Sequence, residues 1–97
     1  MTPMLPSARL SVSLAEIAAF IALVEHGGFT VAARHMHLSQ PGFSGRISRL
    51  ERALGVRLVD RGVRRLTLTA EGRAFLPRAH DILTSYAAVA GDSRGGR

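Results

Sequence analysis

The side chains best equipped for chemistry are arginines. All 13 basic residues are arginine and none is lysine. Eight of them, at positions 46, 49, 52, 57, 61, 64, 65 and 73, stand against three acids, Glu51, Asp60 and Glu71, in the stretch from Arg46 to Arg73. A guanidinium stays charged, and its planar fork matches phosphate oxygens and the O6/N7 edge of guanine. The net charge is +6 and the isoelectric point about 11.7. A basic surface or arginine-rich coding would explain that total; its gathering in one part of the chain is the footprint of a nucleic-acid surface. Just upstream stands Ser39-Gln40-Pro41-x-x-Ser44. A glutamine amide pairs bidentately with adenine, a proline ring offers apolar contact to a thymine methyl, and a serine hydroxyl reaches a base or a phosphate.

Other chemistries find less support. His35 and His37 are two residues apart, do not share a helix face, and have no cysteine or nearby carboxylate to complete a metal site. Ser39 and Ser44 lack a His/Asp constellation, and no glycine-rich phosphate loop is present, so neither catalysis nor a cofactor or metal is expected. The absence of cysteine excludes disulfides and Cys-type zinc fingers and fits a cytoplasmic setting. The longest apolar run, Ile17 to Val24, is too short to span a bilayer, and the first dozen residues hold no apolar signal-peptide core.

The elements that must position these residues are legible from spacing. Residues 1–12 read as a flexible lead-in. Ser13-x-x-Glu16 is a capping box that opens a helix, Leu14, Ile17, Phe20, Ile21 and Val24 give it one apolar face, and Gly27-Gly28 ends it. Thr30 is a candidate N-cap for a short helix from Val31 to about Met36, and His37-Leu38 makes a tight turn. Ser39 caps a third helix with Pro41 in its first turn. Phe43, Ile47, Leu50 and Leu54 form its buried stripe, Gln40, Ser44, Gly45, Ser48 and Arg52 its open face, and Gly55 its stop. A strand-like stretch, Val56 to Asp60, a turn at Arg61-Gly62 and the alternating Arg65 to Thr69 make a two-stranded wing. Thr69 caps a last helix running to about Ala90, about 30 Å long, with Pro77 expected to kink it. Residues 91–97 read as a disordered tail.

Two helices joined by a tight turn, the second serine-capped and amphipathic, form a helix-turn-helix. The ordered string is more specific. It runs Leu14-x-x-Ile17-x-x-Phe20, then Val24-Glu25-x-Gly27-x-Phe29-Thr30-x-Ala32-Ala33. It continues Leu38-Ser39-Gln40-Pro41-x-x-Ser44-x-x-Ile47-x-x-Leu50-Glu51-x-x-Leu54-Gly55-Val56-x-Leu58, with Arg61, Leu68-Thr69 and Gly72 beyond. From about Leu14 to Tyr86 this resembles the N-terminal domain of LysR-type transcriptional regulators.

The resemblance implies a mainly α fold: a winged helix-turn-helix over 13–68, with a three-helix core and a two-stranded β-wing, then a long linker helix over 69–90. It implies double-stranded DNA as partner, an inverted-repeat operator, and a homodimer through the linker helix. Ser39, Gln40, Pro41, Ser44 and Arg46 fall on the recognition helix, 39–54. Thr30 and Arg34 match backbone-contacting positions, and Arg49 looks like a phosphate contact. Arg61 matches a wing arginine reaching toward the minor groove, with Arg64, Arg65 and Thr67 near phosphates. Phe75, Leu76, Ala79, Ile82, Leu83 and Tyr86 are the expected dimerisation residues. The family's effector-binding domain is not within these 97 residues, so the chain is expected to bind DNA without sensing a coinducer. Gly45 stands where the family usually has Arg or Lys, and Gly42 replaces a usual alanine, so a looser helix with altered base preference is expected. Two alternatives stay open: a molybdate-type regulator domain, and a dimerising protein-interaction module with little DNA readout.

Overall fold

The computed structural model describes residues 12–61 and 66–95. Most of the expected lead-in, the turn residue Gly62, the wing residues Arg64 and Arg65, and Gly96 and Arg97 of the expected tail lie outside the described residues. Within them the order is α1 (Leu14–His26), α2 (Phe29–His35), α3 (Gln40–Leu54), β1 (Val59–Asp60), β2 (Thr67–Leu68) and α4 (Ala70–Gly95).

Local rules set most of the boundaries. Ser13 Oγ accepts from Glu16 N at 3.2 Å while Glu16 Oε1 accepts from Ser13 N at 3.4 Å, closing the capping box that starts α1. Gly27 ends α1 and Gly55 ends α3 in the left-handed region, with φ of 76° and 75°. That conformation suits a residue without Cβ. Between α2 and α3 the turn is closed by His37 at φ 58° and by Leu38 N donating to Ala33 O at 2.9 Å.

Three boundaries differ from the sequence expectation. Helix α2 begins at Phe29, capped by extended Gly28 without a side-chain bond; Thr30 lies inside the helix, and its hydroxyl points across to α3 instead. The strands are short, pairing only Val59 with Leu68 and Asp60 with Thr67, antiparallel, because residues 56–58 turn to meet α3 and α4 rather than a partner strand. Helix α4 passes Ala90 and reaches Gly95, into the expected tail. No proline follows Pro77 to interrupt its hydrogen-bond ladder, and Gly91 costs only about 1 kcal/mol.

One core joins these elements. Phe20, Leu23, Phe43, Ile47, Leu50, Leu58 and Val59 are fully buried. Phe75 of α4 packs on Phe20 with centroids 5.7 Å apart, and Phe29 meets the ring of Phe43 edge-on at 5.9 Å. Ala32 and Ala33 let α2 close onto its neighbours without leaving surface open. The result is a three-helix core with a two-stranded wing and a long trailing helix.

Candidate nucleic-acid interface

The open end of α3 is built by its cap. Ser39 Oγ accepts from Gly42 N at 3.1 Å, and Pro41 occupies the first turn, where its missing N–H removes no helical bond. Burying Phe43, Ile47 and Leu50 turns the opposite side of the helix outward. Gln40 and Pro41 are exposed there, and Ser44 and Arg46 are half-buried. Thr30 joins this surface by donating its hydroxyl to Gln40 Oε1 at 3.2 Å. With that oxygen engaged, the Gln40 amide has a fixed sense: Oε1 keeps a second lone pair and Nε2 its donors. Arg34 is exposed on α2, and Thr67 on β2.

Two predicted arginines are already paired. Arg49 Nε lies 3.5 Å from Glu16 Oε2. Arg61 Nη2 lies 3.1 Å from Glu51 Oε1, and its guanidinium carbon sits 5.3 Å from the centroid of Phe29. Arg61 is thus fixed beside the mouth of the recognition surface, where Gly27, Gly28, Phe29, Gln40, Ser44, Asp60, Arg61 and Leu66 line one cleft.

Glu51 is the residue that sequence reasoning passed over. It is 8% exposed. Its Oε2 accepts from Leu58 N at 2.8 Å and from Val59 N at 3.2 Å, its Oε1 from Arg61, and Arg57 Nε stands 3.8 Å away. One carboxylate therefore ties the recognition helix to the root of the wing. The signal was a carboxylate at 51, four residues after Ile47 and one after Leu50, on the edge of the apolar stripe. Glu51→Ala is expected to destabilise the domain by about 3 kcal/mol or more, because two buried N–H groups and Arg61 lose their partner together. Glu51→Gln keeps an acceptor for the backbone and should cost less than half as much. Urea unfolding of the two variants checks the order.

The six expected dimerisation residues divide. Ala79 is fully buried, and Phe75, Leu76 and Leu83 pack against the core. They are held there because α4 lies along α1. Ile82 and Tyr86 are exposed at 40% and 54%, and Val89, outside the expected set, at 67%. His35 stacks on His26 at 3.8 Å between ring centroids. Among the described residues no group of three or more potential ligands could hold a metal ion. No described helix is long and apolar enough to cross a membrane.

Residues 14–73, which hold this whole surface, match the family described as bacterial regulatory helix-turn-helix protein, lysR family. The chain belongs to the lysR family. An HTH-type transcriptional regulator of Azotobacter vinelandii is 52% identical over 71 residues, covering 73% of this chain and 49% of the relative. The SDS degradation transcriptional activation protein of a Pseudomonas strain is 49% identical over 70 residues, covering 72% of this chain and 23% of that protein. The chain thus spans about half of the first relative and about a quarter of the second. In the crystal structure of the CbnR DNA-binding domain in complex with DNA, the domain is 37% identical with a TM-score of 0.79. That match covers 87% of this chain and 97% of that one. The winged helix-turn-helix of this lysR-family chain is therefore shared with a domain solved on DNA.

Proposed function

We propose that the chain binds duplex DNA sequence-specifically and regulates transcription, with α3 in the major groove and the wing at the adjacent minor groove. The observation that carries this is the capped, outward face of α3, where Gln40, Pro41 and Ser44 stand together and Thr30 orients Gln40. A helix fits the major groove, and its N-terminal residues reach base edges first. The unpaired N–H groups of its first turn favour a nearby phosphate. Arg34, Arg46, Arg61 and Thr67 flank this face as backbone contacts. The activity is recognition without a catalytic step, in the bacterial cytoplasm.

The direct test measures binding of the purified chain to an inverted-repeat duplex and to a scrambled one, across salt. A preference of about 100-fold or more is expected, within the range for specific over non-specific binding. Log affinity should fall steeply with log salt for both duplexes. Equal binding to both would overturn sequence reading, and binding to neither would overturn DNA binding.

A homodimer through α4 completes this proposal. Ile82, Tyr86 and Val89 are large apolar side chains left open on a long helix, more than the domain's own core uses. A second copy of the helix would cover them and set two recognition helices on an inverted repeat. Ile82→Glu/Tyr86→Glu is expected to raise the dimer dissociation constant more than ~100-fold, by removing burial of two large side chains in each copy. Sedimentation at tens of micromolar checks this; a wild-type chain that is monomeric there would overturn it.

A further inference from the structure

On the outward side of α3, position 45 carries no side chain of its own. Phe43, Ile47 and Leu50 are wholly buried, and at about 100° per residue Gly45 stands diametrically opposite them. A methyl group built on Gly45 would lie 3.4 Å from Nη1 of Arg49. The guanidinium of Arg49 therefore already occupies the flank of position 45. Helical side chains lean toward the N-terminus and cover the turn before their own Cα. Arg49 thus delivers its charge one turn back, beside position 45.

The seat is built as well as open. Glu16 Oε2 holds the Nε side of Arg49 at 3.5 Å, and Glu16 is itself 8% exposed and fixed by the capping box with Ser13. The Arg49 side chain is 54% exposed, and its two Nη groups make no hydrogen bond with any described residue. A guanidinium tethered through Nε presents Nη1 and Nη2 end-on, the pair of donors that O6 and N7 of guanine accept. Tethering also removes rotamer freedom before binding, which lowers the entropy lost on contact.

We propose that Arg49, seated over Gly45, reads a guanine in the major groove rather than a phosphate. Gly45 is then the vacancy that admits this arginine to the outward side of α3. The inference rests on the DNA-binding proposal above and deepens it.

The test measures Arg49→Lys and Arg49→Ala against duplexes with each base pair of the half-site replaced in turn, at fixed salt, with the salt slope on the scrambled duplex. Arg49→Lys keeps the charge beside Glu16 but loses the fork. It should bind scrambled duplex as the wild type does, with the same slope, while preference for G·C at one position per half-site drops about tenfold or more. Arg49→Ala should flatten that same position and leave the adenine preference of Gln40 in place. Gly45→Leu, which fills the seat, should reproduce the flattened position. A loss in Arg49→Ala that is uniform over all duplexes, with the base profile unchanged, would make Arg49 a phosphate contact and overturn the inference while leaving DNA binding intact. Failure of the wild type to prefer any duplex would overturn both.

Discussion

Replacing Gly72 by alanine is expected to destabilise the domain by about 3 kcal/mol or more, a large overpacking cost. The first turn of α4 is laid directly on the backbone between α3 and the wing. Thr69 N donates to Leu58 O at 3.0 Å. Thr69 Oγ1 donates to Arg57 O at 2.6 Å and accepts from Gly72 N at 2.9 Å. A Cβ on Gly72 would collide with the carbonyl oxygen of Leu58. That carbonyl has little room to retreat, because Leu58 is fully buried and its N–H is held by Glu51. Alanine's better helix propensity, about 1 kcal/mol, acts in the opposite direction and is too small to win. For a domain of this size the loss corresponds to a fall in Tm of more than about 12 °C. Gly91→Ala is the control. Among the described residues nothing lies within 4 Å of a Cβ there, so only the propensity gain applies and Tm should hold or rise. Thermal unfolding by circular dichroism decides it. A Gly72→Ala melt equal to the wild type would mean that α4 can lift from Leu58.

These contacts divide what the chain announces from what it conceals. Ser13, Ser39 and Thr69 act as caps because a cap needs only a hydroxyl and the N–H two or three residues ahead. The stripes through α1 and α3 follow from a period that any buried helix must obey. Each of these is local, and each was legible. Thr30 had the chemistry of a cap too, but the extended backbone at Gly28 starts α2 earlier and releases its hydroxyl to Gln40, ten residues away. Nothing local distinguishes those two uses. Glu51 and Leu58 are likewise joined by a fold-level crossing from helix to wing. Periodicity marked the apolar side chains of α4, but not which of them α1 would cover. Arg49 shows the same limit. Its phosphate role came by analogy of position, whereas its seat depends on a glycine one turn back and a carboxylate on another helix.

The second large effect is expected at Gln40. Gln40→Ala should remove most of the preference for the inverted repeat while leaving affinity for scrambled duplex within about threefold. A bidentate glutamine–adenine pair discriminates by about 1–3 kcal/mol. A symmetric dimer uses it once per half-site, so the loss doubles to about 2–6 kcal/mol, enough to erase most of a hundredfold preference. Scrambled duplex is held by arginine charge instead, which the substitution leaves untouched, so the salt slope should stay the same. The side chain is exposed and makes no core contact, so thermal stability should not move. Thr30→Val gives the graded case. It removes the hydroxyl that engages Oε1 at 3.2 Å and leaves Gln40 in place, so part of the adenine preference should remain. The order wild type, Thr30→Val, Gln40→Ala in adenine preference, at constant salt slope, ties base reading to the hydrogen bond between α2 and α3. If Gln40→Ala instead lowered affinity for every duplex alike, Gln40 would be a backbone contact, and specificity would have to reside elsewhere on the face.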